Sequence, residues 1–155
     1  MEWVKALEPG QLVALNTAPL IYFIEEHPIY LPIVTPFFEQ LDQGKIKVVT
    51  SVITLSEVLV KPLRDGETKL AQQYREILLN INGLITVEVS IDIAEKAAQL
   101  RSQYSLRTPD AIQIATALQS NATALLTNDI RLPPVLPGLQ MLMLDNFLTS
   151  KQQHV

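Results

Sequence analysis

The sequence predicts an α/β fold, a three-layer α/β/α domain built on a mostly parallel sheet of about five strands. Two observations carry this expectation. Short apolar runs alternate with longer helical segments along the whole chain. The runs are apolar throughout rather than at every second residue, as in strands buried on both faces of a parallel sheet. In such folds ligands bind beyond the carboxyl ends of the strands, so the residues directly after each run are the ones to examine.

The first strand is LVAL, residues 12–15, which follows Pro9-Gly10. After NTAP, the segment LIYFIEEH reads as a helix, and a second helix spans PIVTPFFEQLDQG, closed by Gly44. IKVV at 46–49 is rich in β-branched residues and reads as a strand. SVITLSEVLVKP is a helix that stops at Pro62, and the polar LRDGET is a loop. KLAQQYREILLNI is an amphipathic helix ended by Asn82-Gly83, and LITVEV at 84–89 is a strand. SIDIAEKAAQLRSQY is a helix capped by Ser90. RTPDAIQIATALQS is the next helix, with Thr108 as its cap, Pro109 at the first helical position and Asp110 at the second. ATALLT at 122–127 is a strand, and a loop with Pro133, Pro134 and Pro137 leads to the last one, LQMLML.

At 155 residues the chain reads as one domain, with a core from about 12 to 145 and a short polar C-terminal tail. The net charge of −4 argues against a surface wrapped generally in nucleic acid, though Arg101, Arg107, Arg64, Lys61 and Lys69 can supply a local basic groove. Cysteine is absent and only His27 and His154 are present, which excludes thiolate chemistry and disfavours a histidine-rich zinc site. MEWVKALEPG does not read as a signal peptide, and no apolar segment is long enough to cross a bilayer, so the expectation is a soluble, cytoplasmic chain.

Four oxygen-bearing side chains fall at matching topological places. Asn16 follows LVAL, Asp129 follows LLTN, Glu57 lies two turns into the helix after IKVV, and Asp110 opens the helix RTPDAIQIATALQS. Each has an ordinary explanation. Asp110 suits a helix dipole, Glu57 can pair with Lys61 four residues on, and Asp129 suits a turn. Taken together, the acids would repel one another in a single crevice unless a cation joined them. Mg²⁺ or Mn²⁺ fits, because hard cations take oxygen ligands.

The N-T pair after the first strand, LSEVL, RTPDAIQIATA and LLTND together resemble the PIN domain, over about Leu12 to Asp145. The resemblance implies a metal-dependent endoribonuclease that cleaves single-stranded RNA, and the toxin of a VapBC-type toxin–antitoxin pair. It makes Glu57, Asp110 and Asp129 the metal-site acids, with Thr127 and Thr17 in support. The family pattern has aspartate followed by threonine where this chain has Asn16 and Thr17. Asparagine offers a carbonyl oxygen and no charge, so weaker metal binding and slower cleavage are implied.

Arg107, beside the proposed mouth, is a candidate contact for RNA phosphate. A small antitoxin and a homodimer are the protein partners implied. Ile21, Tyr22, Phe23, Phe37 and Phe38 are candidates for such an interface, or else core. Two other readings stand beside this one. The chain is a catalytically inactive RNA- or protein-binding module, or it is another acidic-pocket α/β protein such as a phosphoryl receiver or phosphatase. The last needs a nucleophilic aspartate directly after a central strand, where Asn16 stands.

Overall fold

The computed structural model describes residues 3–148. The polar tail expected at the C-terminus, with His154, lies outside the described residues, as do Met1 and Glu2.

Five strands form one sheet: β1 (Leu12–Leu15), β2 (Lys47–Ser51), β3 (Leu84–Val87), β4 (Ala124–Thr127) and β5 (Gln140–Met143). Their order across the sheet is β3-β2-β1-β4-β5, and every neighbouring pair is parallel. Six α-helices connect them: α1 (Thr17–Ile24), α2 (Leu31–Asp42), α3 (Val52–Arg64), α4 (Thr68–Leu79), α5 (Ile91–Gln103) and α6 (Thr108–Gln119). Short 3-10 turns at Trp3–Ala6 and Leu144–Phe147 complete the described elements.

Mostly apolar strands feed both faces of the sheet. On one face Val13, Leu15, Val48 and Leu126 join a core with Leu20 of α1, Phe37 and Phe38 of α2, Val58 of α3 and Tyr74 of α4. On the other face Ala14, Val49 and Leu125 meet Ala97 of α5 and Ala111, Ile114, Ala115 and Ala117 of α6. The successive residues Val13, Ala14 and Leu15 therefore serve opposite layers, as the period of two in a strand requires. Small residues let α5 and α6 lie close to each other and to the sheet, whereas the first face needs large side chains to fill the space under four helices. Phe37 and Phe38 are core, and Ile21, Tyr22 and Phe23 are half-buried and packed against it.

Several boundaries differ from the sequence reading, each for a local reason. Helix α1 begins at Thr17 and absorbs Pro19, because the first turn of a helix has no use for the missing N–H. It ends at Ile24, before Glu26 turns left-handed with φ of 54°. Helix α3 runs through Pro62 to Arg64. The proline forgoes only its own bond back to the carbonyl of Val58, and it is itself buried. The loop expected over LRDGET therefore shrinks to the residues between Arg64 and Thr68, and α4 ends at Leu79 rather than at Asn82-Gly83. Ser90 does cap α5, accepting from the N–H of Ile93 at 3.1 Å.

Chain direction determines where the sheet can open. From β1 the chain moves outward through β2 to β3, then crosses back to place β4 on the other side of β1. The connections thus diverge between β1 and β4, and in open parallel sheets this is where a crevice opens at the carboxyl ends of the strands.

Candidate functional site

Asn16 directly follows β1 and caps α1. Its Oδ1 accepts from the N–H of Thr17 at 2.8 Å, and its own N–H bonds to the carbonyl of Leu126 at 3.0 Å. Because the oxygen faces the helix, the amide nitrogen faces the next strand. There Nδ2 donates to Oγ1 of Thr127, the last residue of β4, at 3.0 Å. The same Oγ1 accepts from the N–H of Asp129 at 3.2 Å. One threonine hydroxyl thus joins the two sides of the crevice between β1 and β4. Asn16 is 8% exposed and Thr127 is fully buried.

Thr17 continues the chain of contacts toward α3. Its hydroxyl donates to Oε1 of Glu57 at 2.9 Å and lies 3.5 Å from Oγ1 of Thr54. Thr54 is buried and also bonded to Thr50 at 2.8 Å and to Nε2 of Gln113 at 2.7 Å. Thr50 is in turn a partner of the Leu15 carbonyl, at 2.7 Å. On the same stripe of α3 as Thr54, Glu57 and Lys61 are exposed. Thr54 is buried under the site, and Glu57 bonds to Thr17.

Asp110 is the third helical residue of α6, with Arg107 in the capping position, one residue earlier than expected for Thr108. Arg107 makes no capping bond with its side chain, and its Nε instead donates to Oδ2 of Asp110 at 3.1 Å. The carboxylate is buried at a helix start, where the dipole favours its charge. Gln113, one turn later on α6, carries the bond to Thr54 and so ties this helix to α3.

Asp129 is held by Arg131 through both carboxylate oxygens. The Arg131 Nε and backbone N–H each donate to Oδ1 at 2.9 Å, and Nη2 donates to Oδ2 at 2.7 Å. The Arg131 guanidinium holds the Asp129 carboxyl below the usual carboxylate range, against the opposing effect of burial. The charge of Arg107 acts in the same direction, and the charge of Asp110 in turn helps to raise the pKa of Arg131. Asp110 and Asp129 thus share one electrostatic field, with an arginine against each.

The sequence model of the PIN domain matches residues 14–135. The chain belongs to the PIN domain family. The fold agrees with solved PIN structures. The chain is similar to a protein of VapBC2 from Rickettsia felis, solved bound to a DNA fragment from its promoter, at 21% identity and a TM-score of 0.66, covering 84% of this chain and 97% of that one. It is similar to a chain of a toxin–antitoxin complex from Klebsiella pneumoniae at 26% identity and a TM-score of 0.62, covering 82% and 94%. It is also similar to VapC20 of Mycobacterium tuberculosis, a toxin that cleaves the sarcin-ricin loop, at 14% identity and a TM-score of 0.60, covering 73% and 86%. No curated protein matches the sequence.

PIN nucleases use divalent metal ions. In this PIN domain the donor types fit such an ion, since Glu57, Asp110, Asp129 and Asn16 offer hard oxygens. Arginine guanidinium groups already stand against two of the carboxylates, so the site attracts cations. The arrangement itself is not a metal cluster. Among the described residues no three Asp, Glu, His or Cys side chains are gathered closely enough to hold an ion.

The structure joins Asn16, Thr17, Glu57, Thr127 and Asp129 through hydrogen bonds. Asp110 connects to them through charge and through its neighbour Gln113. Sequence reasoning missed Arg131, Gln113 and Thr50. Gln113 had a signal, since it lies three residues after Asp110 on one helix face. Arg131 had a fainter one, two residues after Asp129 in the turn TNDIRLPP.

Proposed function

We propose that the chain is an endoribonuclease of the VapC type, cleaving single-stranded RNA with Mg²⁺ or Mn²⁺, and the toxin of a toxin–antitoxin pair. The observation that carries this reading is the Asn16–Thr127 hydrogen bond across the β1/β4 junction. It ties the start of α1 to the strand end that leads into Asp129, at the crevice where an α/β sheet binds its ligand. Glu57, Asp110 and Asp129 are the acids we assign to the cation, with the Asn16 carbonyl as a neutral fourth donor. A divalent cation held there would supply an activated water and offset negative charge on the phosphate.

The rest is the work of this chain's own residues. Thr17 fixes one oxygen of Glu57, and Thr127 fixes both the Asn16 amide and the backbone of Asp129. Arg107 is exposed beside Asp110, near Arg101 in a shallow concavity of about 540 Å³ at the turn between α5 and α6. No acid lines that concavity, so it suits an RNA phosphate. RNA, a small antitoxin and a second copy of the chain are the partners of this reading. With no described helix long and apolar enough to cross a membrane, a cytoplasmic site of action suits it.

A second reading has its own observation. Asn16 carries no charge, and Arg107 and Arg131 neutralise Asp110 and Asp129. That balance suits a PIN domain that binds RNA or protein without cleaving. RNA cleavage with Mn²⁺ by this chain, by Asn16→Asp and by Asn16→Asp/Asp110→Ala separates the two. A nuclease weakened at one position gains about tenfold or more from Asn16→Asp and loses the gain with Asp110→Ala. Absence of cleavage by all three would leave the binding module as the better reading.

A further inference from the structure

Among the described residues the acids are not gathered into a group that could hold an ion, and Asp129, one of the assigned donors, is already taken up by an arginine. Arg131 uses both carboxylate oxygens of Asp129, the same two atoms a hard cation would need. We propose that Arg131 is a built-in counter-cation that competes with a divalent ion for Asp129, so that ion binding requires the guanidinium to leave. Such competition rests on the proposed role of Asp129 as a metal-site acid.

The two partners are unequal in a way that decides which one moves. The Asp129 side chain is 19% exposed and that of Arg131 is 58% exposed. The Asp129 backbone is fixed from behind by its N–H, which donates to Oγ1 of Thr127. The turn is anchored on its far side by Leu132 and Leu136, both buried, and the Leu132 N–H bonds to the Asp129 carbonyl at 3.2 Å. Between these anchors the guanidinium lies against solvent, and Ile130 beside it is exposed. Leaving Asp129 would return the guanidinium to water, where it is readily hydrated. Asp129 has no comparable route outward.

The same asymmetry recurs at Asp110, whose side chain is 11% exposed against 61% for Arg107. A buried acid and a half-buried one thus each carry an exposed arginine from the same chain. Of the two arginines, Arg131 is the stronger competitor, because it binds in a fork while Arg107 makes one bond.

The test is direct Mn²⁺ binding, followed by the electron paramagnetic resonance of the free ion. Four full-length proteins are compared: the parent, Arg131→Gln, Arg131→Lys and Asp129→Asn, each checked for folding by circular dichroism. Arg131→Gln is expected to bind Mn²⁺ about fivefold or more tightly than the parent. Arg131→Lys should fall between them, since lysine keeps the charge and loses the fork. Asp129→Asn should bind most weakly. Equal or weaker binding by Arg131→Gln, with Asp129→Asn still impaired, overturns the competition and leaves the metal site standing. If Asp129→Asn binds like the parent, or no folded variant binds, the metal-site reading of Asp129 falls and the competition falls with it.

Discussion

The two halves of the crevice are built by different means. In the neutral half, Asn16 and Thr17 at the start of α1, Thr54 of α3, Gln113 of α6 and Thr127 of β4 form a network of mostly neutral hydrogen bonds, most of it out of water. In the charged half, Asp110 at the start of α6 and Asp129 after β4 are balanced by Arg107 and Arg131, whose side chains lie in solvent. The first half is hard to disturb, because a buried donor that loses its acceptor has nowhere to turn. The second rearranges more readily, because each pair has one partner largely in solvent and water accepts the arginine. The lesson is a division of labour: the neutral half fixes geometry, and the arginines of the charged half are free to turn to water.

Breaking the neutral half should give the largest effect on stability. Thr54→Val removes the acceptor of the Gln113 amide and the partner of Thr50, both buried. The expected loss is about 1–3 kcal/mol in urea unfolding. A change within error would mean that the network does not hold α3 to α6.

Asp110→Asn tests the charged half. Its side chain loses the pairing with Arg107 and the benefit of the helix dipole, which together are worth about 0.3–1 kcal/mol. A loss as large as that of Thr54→Val would contradict the contrast between the halves. Asn16→Asp should cost less still, within about 0.5 kcal/mol, because asparagine and aspartate are comparable caps. The Thr17 N–H can still donate, and the Thr127 hydroxyl can turn to donate where it now accepts. A well-folded Asn16→Asp protein is what makes its cleavage assay interpretable, and a strongly destabilised one would show that position 16 is built for an amide.

The smallest effect is a pH dependence. Asp129 has its folded-state pKa below the ordinary value, chiefly through its hydrogen bonds from Arg131. Its contribution is therefore present above the unfolded-state pKa, about 3.8–4, and is lost as pH falls through the folded one. Thermal midpoints measured from neutral pH down to about 3 should decline. Arg131→Gln should show a shallower decline over the same range. Parallel curves for the two proteins would remove the ion pair from the account of acid stability.

Much of the fold was legible because it depends on local pattern. LVAL and the LLT of ATALLT are strands because nothing polar interrupts them, and their apolar character on both sides implied helices on both faces. The likeness of RTPDAIQIATA and LLTND to the PIN domain was legible too, and so was the departure at Asn16. Less legible were helix ends near proline. Pro62 reads as a stop, yet α3 continues past it because one missing bond near a helix end costs little beside the burial of the ring. The site was half legible: the residues after the strands were identifiable, but not the partners of their side chains.

By itself, the sequence determined the fold class, the family and the oxygen-rich residues that follow the strands, since periodicity and residue type need no neighbours to be read. Only the tertiary structure decided that Thr17 takes Glu57 away from Lys61, that Gln113 reaches Thr54, and that Arg131 grips Asp129 with both arms of its fork. Thr17 and Glu57 are 40 residues apart, and Thr54 and Gln113 are 59 apart. Such pairs exist only because β1 lies beside β2, which brings α1 against α3, and because α6 packs against α3. Arg131 and Asp129 are near neighbours in sequence, yet their pairing depends on a turn whose shape is set by Leu132 and Leu136 entering the core. Side-chain partners are chosen by what the packed backbone brings within about 3 Å, and local sequence does not encode that distance.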